Sequence, residues 1–230
     1  MQKVRVLIVR FTNIIQKKEI PLLRGAIIHS LGEDKDILFH NHEETKLRYS
    51  YPLIQYKRIN QKAALVCVNE GADAVGKLFA ASNLNLRLGD RGVTLDIDSV
   101  KADNCTLQTW NTEFYYTIRK WLPLNQENYD HYSKLEGIGE KCIFLEKILI
   151  GNILSFSKSV GIFFENEVTC KILEINDPVD QIYKGVKMLS FDVRFKSNVS
   201  IPDYIGLGKG ASINQGTVTQ IKSQKNQHSD

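Results

Sequence analysis

Two histidines stand one residue apart in Phe39-His40-Asn41-His42-Glu43. On an extended chain His40 and His42 project to the same side, roughly 7 Å apart. Imidazole is the side chain that both takes and gives a proton near neutral pH. A pair suits cleavage of RNA by its own 2′-hydroxyl: one removes that proton while the other, or a lysine, protonates the leaving 5′-oxygen. Two other readings fit the same letters. One is a core histidine beside a surface histidine with no chemical role. The other is a metal pair, but its nearest further ligands are Glu43 and Glu44, and no outlying Cys/His spacing completes a closed site. His29 falls on an expected helix and reads as a packing residue, whereas His131 and His228 read as solvent-facing.

Just downstream, Tyr49-Ser50-Tyr51-Pro52-Leu53-Ile54-Gln55-Tyr56-Lys57-Arg58 interleaves aromatic rings with cations, and Lys46 precedes it. Tyrosine faces stack on unpaired bases, and lysine or arginine holds phosphates. The expected RNA contacts here are Lys46, Tyr56, Lys57 and Arg58, against the alternative of a strand whose tyrosines half-bury. Tyr56 and Lys57 alternate on a strand, so at most one of them faces the histidines.

A third constellation lies near the C-terminus, in Pro202-Asp203-Tyr204-Ile205-Gly206-Leu207-Gly208-Lys209-Gly210 and then Ala211-Ser212-Ile213-Asn214-Gln215-Gly216. Glycines carry no Cβ to hold a ligand away, so the N–H groups around Gly206, Gly208, Gly210 and Gly216, with Lys209, are expected to converge on phosphate oxygens. Two nucleotide readings fail. A dinucleotide fingerprint needs a preceding strand and a following helix, but Pro202 precedes this loop and only Thr217-Val218-Thr219 and a polar tail follow. A Walker loop needs Ser or Thr after its lysine, and Lys209 is followed by Gly210.

The positioning elements alternate between strand and helix periods. Val4–Phe11 reads as a strand, and 20–31 as a helix with Pro21 at its start and Gly32 as its stop. Ile37–Phe39 is a short extended piece. Leu53–Ile59 and Ala63–Val68 form a hairpin, Ala72–Ala81 a helix and Val93–Val100 a strand. That order is β-α-β-β-α-β, the ferredoxin-like unit, with two helices on one face of an antiparallel sheet. The second half repeats the theme: strand Glu113–Leu122, helix Glu140–Val160, strands Glu167–Ile175 and Val186–Phe195, and last strand Thr217–Ile221. Its second helix is missing, and the glycine loop stands in that place. The expected division is an N-terminal unit over 1–108, a C-terminal unit over 109–222 and a polar tail over 223–230. The duplication is of pattern rather than of sequence.

Hydrophobic residues make up 43% of the 230 and charged residues 24%, which fits a globular chain and excludes a disordered one. No apolar run approaches the ~20 residues that span a bilayer, and the N-terminus lacks a signal pattern, so no membrane partner is expected. Cys67, Cys105, Cys142 and Cys170 are widely spaced in apolar contexts, as expected of reduced thiols in a cytoplasm. The net charge of +4 is unevenly spread: residues 45–69 hold five cations and no acid, whereas 127–180 is rich in acids. That asymmetry fits a phosphate-binding face opposite a solvated one.

His40-Asn41-His42, then Tyr49-to-Ile59 with its Pro-Leu-Ile-Gln-Tyr-Lys core, Glu70-Gly71-Ala72 and the closing Gly-Leu-Gly-Lys-Gly loop together resemble the CRISPR-associated repeat-processing endoribonucleases. These belong to the RAMP superfamily, and the paired histidines look like one branch of it. The resemblance covers the chain. It implies an α+β fold of two tandem ferredoxin-like (RRM-like) domains. It also implies cofactor-free, metal-independent cutting of precursor repeat RNA on the 3′ side of its hairpin, leaving a 2′,3′-cyclic phosphate. Carried over, His40 and His42 are the acid/base residues, and the loop with Lys209 contacts the RNA backbone. One departure stands out: the family loop closes with a basic residue and an aromatic between glycines, where this chain has Ile213-Asn214-Gln215-Gly216. The implied partners are the CRISPR precursor RNA with its repeat hairpin and other CRISPR complex subunits, the chain acting as a monomer or homodimer. The alternative is a non-catalytic RNA-binding subunit of a CRISPR effector complex with the same fold and loop.

Overall fold

Strand β1 (Lys3–Ile14) runs through the middle of the first sheet and is apolar on both faces. Val4, Val6 and Ile8 join one buried cluster and Val9 and Phe11 another. A computed structural model describes residues 2–31, 51–81 and 84–222 of the chain. Helix α1 (Ile20–Ser30) starts with Pro21, whose missing N–H costs nothing at that position, and buries Leu23, Ala26 and Ile27. Strands β2 (Ile54–Ile59) and β3 (Lys62–Val68) are joined through Asn60 and Gln61, both at positive φ, the two-residue turn whose twist matches that of its strands. Helix α2 (Glu70–Ala81) buries Ala74, Val75 and Leu78 on the same side as α1.

A small hairpin, β4 (Asn85–Leu88) and β5 (Arg91–Thr94), is inserted before β6 (Ile97–Thr106). The single strand expected over Val93–Val100 is thus two strands with different partners. β5 pairs with β4 and β6 with β1, and Asn13 ties the break by donating to Thr94 O and accepting from the Asp96 N–H. The sheet order is β2-β3-β1-β6, every pair antiparallel.

The second half comprises β7 (Thr109–Trp121), a short α3 (Gln126–Tyr132), the long α4 (Ile138–Ser159), β8 (Cys170–Ile175), β9 (Val179–Tyr183), β10 (Val186–Val199) and β11 (Thr217–Gln220). Its sheet order, β11-β7-β10-β8, matches the first sheet element for element when β7 stands for β1. β9 pairs with the leading end of β10 off that path, through a turn at Lys184 and Gly185. Helix α4 buries Leu145, Leu149, Ile153 and Phe156, a stripe at helical spacing, in one cluster with Trp121, Tyr116 and Phe195. Among the described residues no regular helix follows β10. Residues 200–216 form a loop with one 3₁₀ turn at Ala211–Ile213.

The same buried cluster takes in Val4, Val6, Ile8, Ala64, Val66 and Val68 from the first sheet. The first sheet therefore has its helices on one face and the second half of the chain on the other. This is why β3 is buried along nearly its whole length.

Candidate nucleic-acid interface

The histidine segment, with His40, His42 and Lys46, lies outside the described residues. Its exit is described. Tyr51 lays its ring on Phe156 of α4, with centroids 5.0 Å apart, and donates its hydroxyl to Gly206 O at 2.9 Å. Burial pushes the Tyr51 phenol well above its ordinary range, so it stays a donor at any physiological pH. Gly71 at the start of α2 lies with its Cα against Leu53 O, where a Cβ would collide, so the chain entering β2 is fixed from that side too.

From there β2 alternates. Ile54 and Tyr56 face the core under α1 and α2, while Gln55, Lys57 and Ile59 face the second half. Tyr56 is fully buried, its hydroxyl without a hydrogen-bond partner among the described residues, so the expected base-stacking role is corrected: no base reaches this ring. Lys57 is also fully buried, and its Nζ donates to Ala211 O and Thr217 Oγ1, each at 3.1 Å. The expected phosphate contact by Lys57 is corrected likewise. Burial alone pulls this ammonium down to about 7.

The glycine loop meets β2 with its backbone. Gly206 N–H donates to Gln55 Oε1 at 2.9 Å, and Gln55 Nε2 donates to the Tyr51 hydroxyl at 2.6 Å. Gly216 N–H donates to Lys120 O and the Lys209 N–H to Leu122 O. These amides therefore point into the protein, and the expected convergence of Gly206, Lys209 and Gly216 N–H groups on phosphate is corrected. Two glycines are demanded by packing. Gly208, at φ +79°, leaves room for Trp121, whose Nε1 would sit 2.9 Å from a Cβ there, and Gly216, at φ +56°, lies against Leu207 O. Gly210 packs against Gln215 and the Tyr183 ring. The Lys209 side chain projects into solvent.

Arg58 is half-buried. Its Nε donates to Ile15 O at 2.6 Å and its backbone N–H to Asn214 Oδ1 at 3.3 Å. Lys120 lies within electrostatic reach of Arg58 and of Lys17. Lys120 is held below its ordinary range by partial burial first and then by Lys17, with Asp192 opposing and Arg58 adding to the effect. Asp192 is meanwhile engaged by Arg119 at 3.1 Å and by the Lys120 N–H at 2.7 Å. The loop end 214–216 thus sits between Arg58 and Lys120, with Lys17 beside them. Mutually repelling cations gain from an added anion, so this rim fits a phosphate. Lys17 and Lys120 escaped the sequence reading because neither lies in a basic tract. Only the pairing of β7 with the loop brings Lys120 here.

Tandem sheets of one order, the second closed by a loop in place of a helix, define an α+β protein of RAMP-like fold. Family models for the Cas6b N-terminal and C-terminal domains match residues 2–106 and 108–221. The chain belongs to the Cas6b family. It is 25% identical to a protein solved as a crystal structure of Cas6b, with TM-score 0.86 over 96% of this chain and 100% of that one. A second structure, of a CRISPR RNA processing endoribonuclease Cas6b, gives TM-score 0.73 at 24% identity, with the same coverage. An uncharacterized protein of Methanocaldococcus jannaschii, MJ0978, is 40% identical over 108 residues, 47% of this chain and 72% of that protein.

Proposed function

We propose that this chain is an endoribonuclease that cuts CRISPR precursor RNA within its repeats. One imidazole of the His40/His42 pair takes the proton of a ribose 2′-hydroxyl, and the resulting oxygen attacks the adjacent phosphorus. The P–O5′ bond breaks, the other imidazole protonates the leaving 5′-oxygen, and the products end in a 2′,3′-cyclic phosphate and a 5′-hydroxyl. Arg58, Lys17, Lys120 and Lys209 hold the RNA backbone. The observation that supports this reading is that Tyr51, the first described residue after the histidine segment, is tied to Gly206 of a loop whose other end, Asn214 to Gly216, meets Arg58 and Lys120. The work belongs to the cytoplasm, in keeping with four cysteines that stand as free thiols.

The test is incubation with hairpin repeat RNA in EDTA. A product ending in a cyclic phosphate is expected, and a single 2′-deoxyribose at the cut site should block cleavage while leaving binding intact. Cutting of the deoxy substrate would require water as nucleophile and sinks the mechanism. Tight binding of the all-ribose repeat without cleavage would favour the non-catalytic subunit.

A further inference from the structure

β2 and the glycine loop are joined by polar side chains where apolar ones would be expected. Gln55 and Lys57 lie on a strand face that is fully buried, and both are spent on the loop. The Lys57 ammonium meets only neutral oxygens among the described residues, and no neighbouring charge shifts it. Burying an ammonium without a carboxylate costs several kcal/mol, and a methionine would fill a similar volume without that cost. Such a group is worth keeping where it fixes a register. Apolar surfaces slide past one another, but donors aimed at Ala211 O, Thr217 Oγ1 and, in return, a Gly206 N–H aimed at Gln55 accept one alignment only.

The alignment reaches further than β2. Gly206 O accepts from Tyr51, and Tyr51 accepts from Gln55, so loop, strand and the exit of the 32–50 segment form one hydrogen-bonded unit. We propose that Gln55 and Lys57 are positioning residues: they lock the loop onto β2 and so hold the exit of the histidine segment. The backbone of the loop then serves cleavage from behind the site, while its exposed Lys209 side chain is the part that meets RNA. The inference rests on the endoribonuclease reading for its catalytic half and on the contacts alone for its structural half.

The test uses Lys57→Met, with Thr217→Val as a milder variant that removes one acceptor without stranding a charge. Three quantities are read: repeat-RNA affinity across salt, single-turnover cleavage at saturating RNA, and amide hydrogen exchange of residues 51–58 and 206–217 without RNA. A small misplacement of a catalytic group costs about 10²-fold, so Lys57→Met should lose cleavage on that scale with affinity and salt slope unchanged. Exchange should quicken in both segments, and Thr217→Val should move the same way by less. Parental cleavage at saturation overturns the positioning role. Loss of affinity with a shallower salt slope overturns it too, since Lys57 would then reach a phosphate. Should Lys57→Met fail to fold, Thr217→Val decides by the same readouts. Should the parental protein cleave no repeat RNA, the endoribonuclease reading fails by itself. Quickened exchange then still supports the latch, and unchanged exchange overturns it.

Discussion

The two halves share a sheet order and differ in the element that succeeds β3 in one and its counterpart β10 in the other. After β3 the chain makes helix α2; after β10 it makes the loop 200–216. A helix satisfies its own backbone groups, so α2 needs its neighbours only for apolar burial. A loop leaves N–H and C=O groups that must find partners elsewhere. Here they find Gln55, Lys57 and Tyr51 in the other half, and Lys120 and Leu122 in their own. Exchanging a helix for a loop therefore converts a self-sufficient element into one that makes the halves depend on each other.

The largest expected effect separates the chemistry of the first half from the support given by the second. His42→Ala and His40→Ala should each lower single-turnover cleavage by about 10²–10⁴-fold while leaving repeat-RNA affinity nearly unchanged. Parental rates in both variants would move the active site away from this segment. In the second half, Gly216→Val places a Cβ against Leu207 O at a positive φ. It should cost about 3 kcal/mol or more, read as a large fall in the melting temperature. A soluble variant melting with the parental protein would mean that the loop tolerates rearrangement and the contrast with α2 is false.

The rim gives a smaller effect. Lys120→Ala and Lys17→Ala should each make the salt dependence of log K shallower by about 0.7–0.9, weakening binding similarly for all sequences. Unchanged slopes would remove the phosphate from that rim. Next comes pH. Lys57 titrates near 7 in the folded chain and far higher when unfolded, so between pH 7 and 8 the unfolded state binds more protons. Stability from this group must rise with pH across that window, below the range where buried thiols and phenols begin to oppose it. Urea denaturation at the two pH values should show the rise, and Lys57→Met should lack it. The smallest effect concerns Gly76, exposed within α2 with open space where a Cβ would be. Gly76→Ala should stabilise by about 0.5–1 kcal/mol, the opposite sign to any substitution at Gly216.

Legibility in the sequence tracks burial. α1, α2 and α4 bury one face and are visible as a helical period, while β1 and the β2–β3 hairpin, buried on both faces, are visible as short apolar runs bounded by turn residues. α3 announces itself only by its cap, Asn125 accepting from the Asn128 N–H, since Tyr132 alone is buried and no stripe forms. β9 leaves Val179 and Ile182 two-thirds exposed, so burial wrote no pattern there. At the site, alternation along Ile54-Gln55-Tyr56-Lys57 places Gln55 and Lys57 on the polar face, which normally means solvent. The docking of the second half onto that face is a tertiary event that local spacing does not encode, and it removes Lys57 as an RNA contact, while Tyr56 is taken up by the core under α1 and α2.

The covered flank of β2 has one more consequence. The first sheet ends in β2 on one side and β6 on the other, and a free strand edge invites another chain to pair with it. β6 defends itself with exposed charge, including Asp98 and Lys101. β2, buried along almost all its length and flanked by the apolar β3, has no such defence of its own, and Asn214 occupies its outward Arg58 N–H in place of a foreign strand. The glycine loop is thus also a guard against self-assembly. Variants that loosen it should first show themselves as turbidity growing with protein concentration, before any loss of helical signal.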